Sequence, residues 1–188
     1  MYSGFLKRTL DLTVAAASLI LFSPLIAVVA ILIKLEDGGP VLFRQRRVGK
    51  GGREFEFLKF RSMPVNTANV PSVDAEAIKI TQIGKFIRRT NIDELPQLFN
   101  VLRGEMSIVG PRPAIASQTA LVSMRAENGA ENCLPGLTGL AQINAYDGMP
   151  ETEKAAFDGE YASNISFFND LKVVGRTFGY LTRKPPVY

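Results

Sequence analysis

Two acids, Asp93 and Glu94, stand side by side in NIDELPQLFNVLRGEMSIVGPRP, residues 91 to 113, with Arg88 and Arg89 just before them and Arg112 in the closing Pro-Arg-Pro turn. Adjacent carboxylates are hard oxygen donors able to hold Mg²⁺, a cation that usually completes its shell with substrate phosphates. Arginine grips phosphate through paired hydrogen bonds, and Gly110, Pro111 and Pro113 shape and restrict the backbone that presents Arg112. Together these residue types point to chemistry on a phosphorylated substrate, with a carboxylate as the natural base or nucleophile. The plainer reading of the pair is helix capping, since a helix N-terminus favours ionised carboxylates.

Composition narrows the chemistry further. The 188 residues include no His and no Trp, and Cys133 is the one cysteine. A His-centred triad, a zinc cluster of Cys and His and a disulfide framework are thereby excluded. A hydrophobic content of 46% over this length allows one compact domain plus one appendage.

The elements that must position the acids can be read from periodicity. IKITQIGKFIRRT places Ile80, Ile83 and Ile87 at helical spacing and should end near Thr90 or Asn91. Pro96 prefers a first helical position, so the next helix should run to Arg103 and stop at Gly104, leaving both acids at the junction. PVLFRQRRVG and REFEFLKFRSM alternate apolar and polar residues around GKGG and predict a β-hairpin, with Phe55, Phe57 and Phe60 assigned to one face. Residues 64 to 77 read as a polar loop with a short helical end. Further helices are expected over 114 to 128, in ETEKAAFDGEYASN and in ISFFNDLKVVGRTFGYL, the last pressed against a membrane.

Charge and hydropathy are both uneven. Arg44, Arg46, Arg47, Lys50, Arg53, Lys59 and Arg61 share a window with only Glu54 and Glu56, which suits an anionic partner. Nucleic acid is disfavoured, because no binding motif accompanies the charge and it leaves the apolar run unexplained. That run, residues 10 to 33, contains one charge, Asp11, and as a helix would reach about 36 Å. Lys7 and Arg8 precede it and Lys34 follows, so the positive-inside rule pulls both ends to one side, while Ser23 and Pro24 interrupt its middle. A re-entrant hairpin, a kinked single span and a buried core helix all stay open on these residues, with the flanking charge favouring the first. Lys7 and Arg8 are read as headgroup contacts.

KRTLDL, the apolar run broken by SP, GPVLFRQRRVG, FEFLKFRSM, IGKFIRRTNIDELPQLFNVLRGEMSIVGPRP and LPGLTGLAQIN resemble the bacterial sugar transferase family across nearly the whole chain. These are monotopic phosphoglycosyl transferases that initiate glycan assembly, and this chain looks like their minimal catalytic form. The resemblance implies an α+β fold with a re-entrant helix-break-helix over residues 1 to 35. Residues 36 to 188 would form a catalytic domain with interfacial helices on the cytoplasmic face of the bacterial inner membrane. It implies a polyprenyl-phosphate sugar-1-phosphate transferase that moves a sugar 1-phosphate from a UDP-sugar to undecaprenyl phosphate with Mg²⁺, releasing UMP. Asp93 would be the nucleophile of a covalent intermediate, and Glu94, with Asp93, would hold the metal. Arg112, Lys59 and Arg88 would line the substrate pocket, with Asp158 and Tyr161 as further substrate contacts. Anionic lipids and later glycosyltransferases of the pathway are the implied partners.

Overall fold

A computed structural model describes residues 2–65, 80–146 and 148–181. Most of the loop expected over residues 64 to 77, Lys79 and the tail after residue 181 lie outside the described residues. The fold is α+β: a long N-terminal helix, α1 (Lys7–Asp37), a β-hairpin, and shorter helices around a second, two-stranded sheet.

Helix α1 spans 31 residues and carries Pro24 inside it. The interruption expected at Ser23 and Pro24 therefore takes the form of a proline within one helix, not two separate helices. Ser23 Oγ donates to the Ile20 carbonyl at 2.8 Å, giving a partner to backbone near the proline. Two patches of α1 pack on the domain. Ala15 and Leu19 meet Phe57, Leu98, Val101 and Met106, whereas Leu25, Ile26, Val29, Ala30 and Ile33 meet Phe60, Ile83 and Ile87. Between the patches, residues 20 to 24 are all exposed, more than a full turn. Even Phe22, which a 3.6 period places on the packed stripe, is uncovered. A buried core helix is thus ruled out.

Both ends of α1 are fastened to the same domain. At the start, Lys7 pairs with Asp170 at 2.6 Å, and Arg8 donates to the carbonyls of Leu102 and Met106. One turn on, the buried Asp11 accepts from Ser107 Oγ at 2.8 Å and from the Ile108 amide at 3.0 Å. At the finish, Asp37 pairs with Arg61, and Glu36 accepts from the amides of Gln82 and Ile83. Lys7 and Arg8, expected at lipid headgroups, spend their hydrogen bonds on the protein.

The hairpin forms as the alternation predicted, from β1 (Leu42–Val48) and β2 (Glu54–Phe60), registered from Leu42 opposite Phe60 to Val48 opposite Glu54. Its aromatic face differs from the expectation. Strand side chains alternate, so Phe55 and Phe57 share one face while Phe60 points to the other and packs on α1 and Ile87. The basic window splits the same way: Arg44 and Arg46 pair with Glu56 and Glu54 on the second face, and Arg47 and Lys59 lie beside the Phe57 ring on the first.

The expected helix ends around the acids are found. Thr81 caps α2 (Gln82–Arg89) by accepting from the Gly84 amide at 2.9 Å. Asn91 turns left-handed at φ 54°, Ile92–Glu94 form one 3₁₀ turn, and α3 (Gln97–Arg103) follows Pro96 and ends at Gly104, φ 84°. A short β3 (Ser107–Val109), unforeseen in the apolar stretch after α3, pairs in parallel with β4 (Gly136–Thr138). The helices α4 (Thr119–Glu127), α5 (Leu140–Ile143), α6 (Glu151–Ser163) and α7 (Phe167–Leu181) complete the domain. Phe167, Phe168, Leu171 and Phe178 leave α7 with an exposed apolar face.

Candidate active site

The 3₁₀ turn, β2 and the loop after β3 converge on the acidic pair. Lys59 Nζ lies 2.7 Å from Glu94 Oε1 and 3.7 Å from Asp93 Oδ2. Arg112 Nη2 reaches the same Glu94 oxygen at 3.1 Å. Asn100 sets the distance between the turn and the strand. Fully buried on α3, it donates to the Glu56 carbonyl at 2.7 Å and accepts at 3.1 Å from the amide of Leu58, the residue before Lys59. Arg88 Nε donates to Ser62 Oγ at 2.8 Å, and its charge is felt at Asp93.

The two carboxylates are electrically unlike. Burial pushes Asp93 above the ordinary carboxylate range; Lys59 is the strongest opposing influence, Glu94 adds to the rise, and Arg88 and Arg112 pull it back. Burial acts the same way on Glu94, but Lys59 and Arg112 outweigh it and hold that carboxyl down at about 2. Glu94 is therefore a fixed anion clamped by two cations, and Asp93 the more basic neighbour, with Lys59 at 3.7 Å and the arginine charges farther off in influence. The more basic carboxylate is the better nucleophile.

No cluster of three or more metal-ligating Asp, Glu, Cys or His side chains occurs among the described residues. Asp93 Oδ1 and Glu94 Oε2 take no part in the ion pairs above, so the donor set fits a cation that takes one or two carboxylates and shares the rest of its shell with substrate phosphates.

Lys59, Arg88, Asp93, Glu94 and Arg112 thus come together, whereas Asp158 and Tyr161 make their hydrogen bonds elsewhere. Asp158 is 1% exposed and takes both Nε and Nη2 of Arg125 on one oxygen, at 2.9 and 2.6 Å. Tyr161 Oη sits 2.9 Å from the Val109 carbonyl and 2.9 Å from Asp170 Oδ1. Burial, then the Asp170 charge, raise its pKa far above the phenol value. Tyr161 therefore braces the strand that leads into the Arg112 turn. Asn100 and Asp170 were not singled out from sequence, and Arg47 only as one of the basic window. An Asn amid the apolar residues of α3 was the available signal for the first, and strand parity with Lys59 for the last.

An uncovered helix of membrane length fastened at both ends to a small α+β domain is consistent with a membrane-associated protein, and the carboxylate pair among cations nearby is its candidate site. The chain belongs to the bacterial sugar transferase family, whose model matches residues 2–184. It is 43% identical over 180 residues to a Caulobacter vibrioides protein named UDP-glucose:undecaprenyl-phosphate glucose-1-phosphate transferase, covering 91% of this chain and 67% of that one. It is 41% identical over 183 residues to an Aeromonas hydrophila UDP-N-acetylgalactosamine-undecaprenyl-phosphate N-acetylgalactosaminephosphotransferase, covering 93% of this chain and 43% of the relative. A Haemophilus influenzae protein named only as an uncharacterised sugar transferase is 37% identical over 206 residues, covering 99% of this chain and 43% of its own length. The chain thus spans less than half of two of these relatives and about two thirds of the third.

Proposed function

We propose that the protein transfers a sugar 1-phosphate from a UDP-sugar to undecaprenyl phosphate, with Asp93 as the attacking group. The observation that carries this reading is the division between the acids: Lys59 Nζ and Arg112 Nη2 both close on Glu94 Oε1, at 2.7 and 3.1 Å, whereas the buried Asp93 keeps Lys59 at 3.7 Å. The names of the Caulobacter and Aeromonas relatives support the substrates.

In the first half-reaction an Asp93 carboxylate oxygen bonds to the phosphorus that carries the sugar, and the bond from that phosphorus to the bridging oxygen breaks. UMP leaves with that oxygen and its electron pair. A phosphate oxygen of undecaprenyl phosphate then attacks the same phosphorus and releases the Asp93 carboxylate. Arg112 and Lys59 place positive charge where the phosphate oxygens gather it. Mg²⁺ held by Asp93 and Glu94 would supply further charge neutralisation at the phosphates when bound. Holding Asp93 on a short turn between two helices keeps the carboxylate positioned for in-line attack.

The topology we propose is monotopic. A helix crossing roughly 30 Å of hydrocarbon leaves one end on the far side, yet both ends of α1 bond to one domain. A dip into one leaflet, with residues 20 to 24 deepest, keeps both ends on the cytoplasmic side. The boundary near residue 35 and the apolar face of α7 at the lipid surface accord with this placement.

The test uses detergent-solubilised protein with Mg²⁺, undecaprenyl phosphate and a panel of UDP-sugars, UMP release being measured beside Asp93→Asn. Release that the variant loses supports the reading. Release of free phosphate without UMP, or full UMP release by the variant, overturns it.

A further inference from the structure

Arg47 has no place in the reading above. It lies on β1 opposite Phe55, its Cζ is 5.2 Å from the Phe57 ring centre, and Lys59 Nζ is 5.6 Å from the same ring. Phe57 is 2% exposed, so its fixed ring flanks both cations. Arg47 Nη1 donates at 3.1 Å to the Pro113 carbonyl, in the turn that presents Arg112. Its Nε is buried with no hydrogen-bond partner. Among the described residues no carboxylate forms an ion pair with it: the ion pairs of Glu94 go to Lys59 and Arg112. The local charge is thus unbalanced, with Arg47, Lys59, Arg88 and Arg112 around Asp93 and Glu94.

We infer that Arg47 is a positioning residue for the donor diphosphate: it holds the Arg112 turn against the hairpin and supplies the positive charge that a phosphate-bearing donor neutralises. The cost of keeping the cation there is visible in its ionisation. Burial first, and then repulsion by Arg112, bring the guanidinium down to about 10, against the pull of Glu94. A half-buried guanidinium repelled by Arg112, with a buried and unsatisfied Nε, is a local destabilisation that an arriving diphosphate relieves. Replacing it by a neutral residue should leave the fold intact or stabilise it while weakening anion binding.

The inference rests on the transferase reading, and the experiment separates the two. UDP binding to the detergent-solubilised full chain is measured by calorimetry for wild type, Arg47→Gln and Arg47→Lys, beside melting temperature and the donor KM and kcat from UMP release. The expected result is a UDP Kd and donor KM at least tenfold higher in Arg47→Gln, with kcat changed less than threefold and melting temperature unchanged or raised. Arg47→Lys, which keeps the charge and loses the bond geometry, should recover part of the Kd. Unchanged UDP binding in a folded Arg47→Gln variant, equal defects in both variants, or a loss confined to kcat would overturn the inference. Wild type that binds UDP without releasing UMP from any donor sinks the transferase reading alone, and Arg47→Gln binding still decides this one. Wild type that binds no UDP overturns both.

Discussion

Lys59 is the strongest cationic influence on Asp93, and removing its charge has a calculable effect. At the observed 3.7 Å, two unit charges interact by about 4 kcal/mol at an effective dielectric of about 20 and by about 1 kcal/mol in bulk water. Lys59→Met deletes this attraction, which favours the ionised carboxylate, so the Asp93 pKa should rise by roughly one to three units from a value that burial has already raised. The direction follows from the charge: losing a cation makes the anion harder to form, and less nucleophile is available at neutral pH. The assay is the pH dependence of kcat/KM for the UDP-sugar, whose acid limb reports the free enzyme. In Lys59→Met that limb should move to higher pH by at least one unit, whereas Lys59→Arg should leave it within half a unit. An acid limb unmoved in Lys59→Met, in protein that is folded and active at high pH, would refute the electrostatic account of Asp93.

The rest of the structure makes further commitments. Arg125→Met strands the Asp158 carboxylate in the interior and should cost about 3 to 5 kcal/mol, seen as a lower melting temperature; Arg125→Met with Asp158→Leu should recover most of it. Asp11→Ala removes the acceptor of two bonds from β3 and leaves the Ile108 amide unmatched while Ser107 Oγ keeps the Val109 carbonyl, a loss of about 1 to 3 kcal/mol in detergent unfolding with a parallel fall in UMP release. Gly136→Ala should yield poorly folded protein by thermal melt, since its methyl group would collide with the Gly110 amide across the β3 and β4 pair. Glu94→Gln frees Lys59 and Arg112 from their shared anion. It should lower stability above pH 5, and the difference from wild type should vanish as pH falls from about 5 towards 2, where Glu94 itself protonates.

What could be read from the residues tracks how local its physics is. Pro96, Gly104 and the isoleucine spacing act within one or two turns, and α2 and α3 end where those signals place them, with the acids at the junction between. The hairpin followed from alternation and a Gly-rich turn, yet Phe60 was assigned to the wrong face because only strict parity from Phe57 decides it. The pairing of β3 with β4 escaped notice, since three-residue strands carry too little pattern and their partner lies 29 residues away in register. The site divides likewise. Asp93, Glu94 and Arg112 stood out by type and neighbourhood. That Lys59 joins them depends on Asn100, a tertiary bond from a helix to a strand that no spacing rule anticipates.

The membrane helix and the reactive turn belong to one hydrogen-bonded body, which bears on why the family's chemistry sits where it does. Asp11, on the second turn of α1, holds Ser107 and Ile108 of β3. Lys7 and Tyr2 hold Asp170, Asp170 meets Tyr161, and Tyr161 meets the Val109 carbonyl at the end of the same strand. Three residues after Val109 comes Arg112. Two independent routes therefore run from the start of the anchor to the residue that clamps Glu94, and the second patch of α1 packs on Ile87, adjacent to Arg88. On the proposed reading, a lipid-linked acceptor reaches Asp93 only if the dyad is held at a fixed depth from the bilayer. A flexible tether would leave that depth to chance, at an entropic cost in every encounter. Rigid docking of both halves of the helix onto the strands and helices that carry the site removes that freedom before substrate arrives.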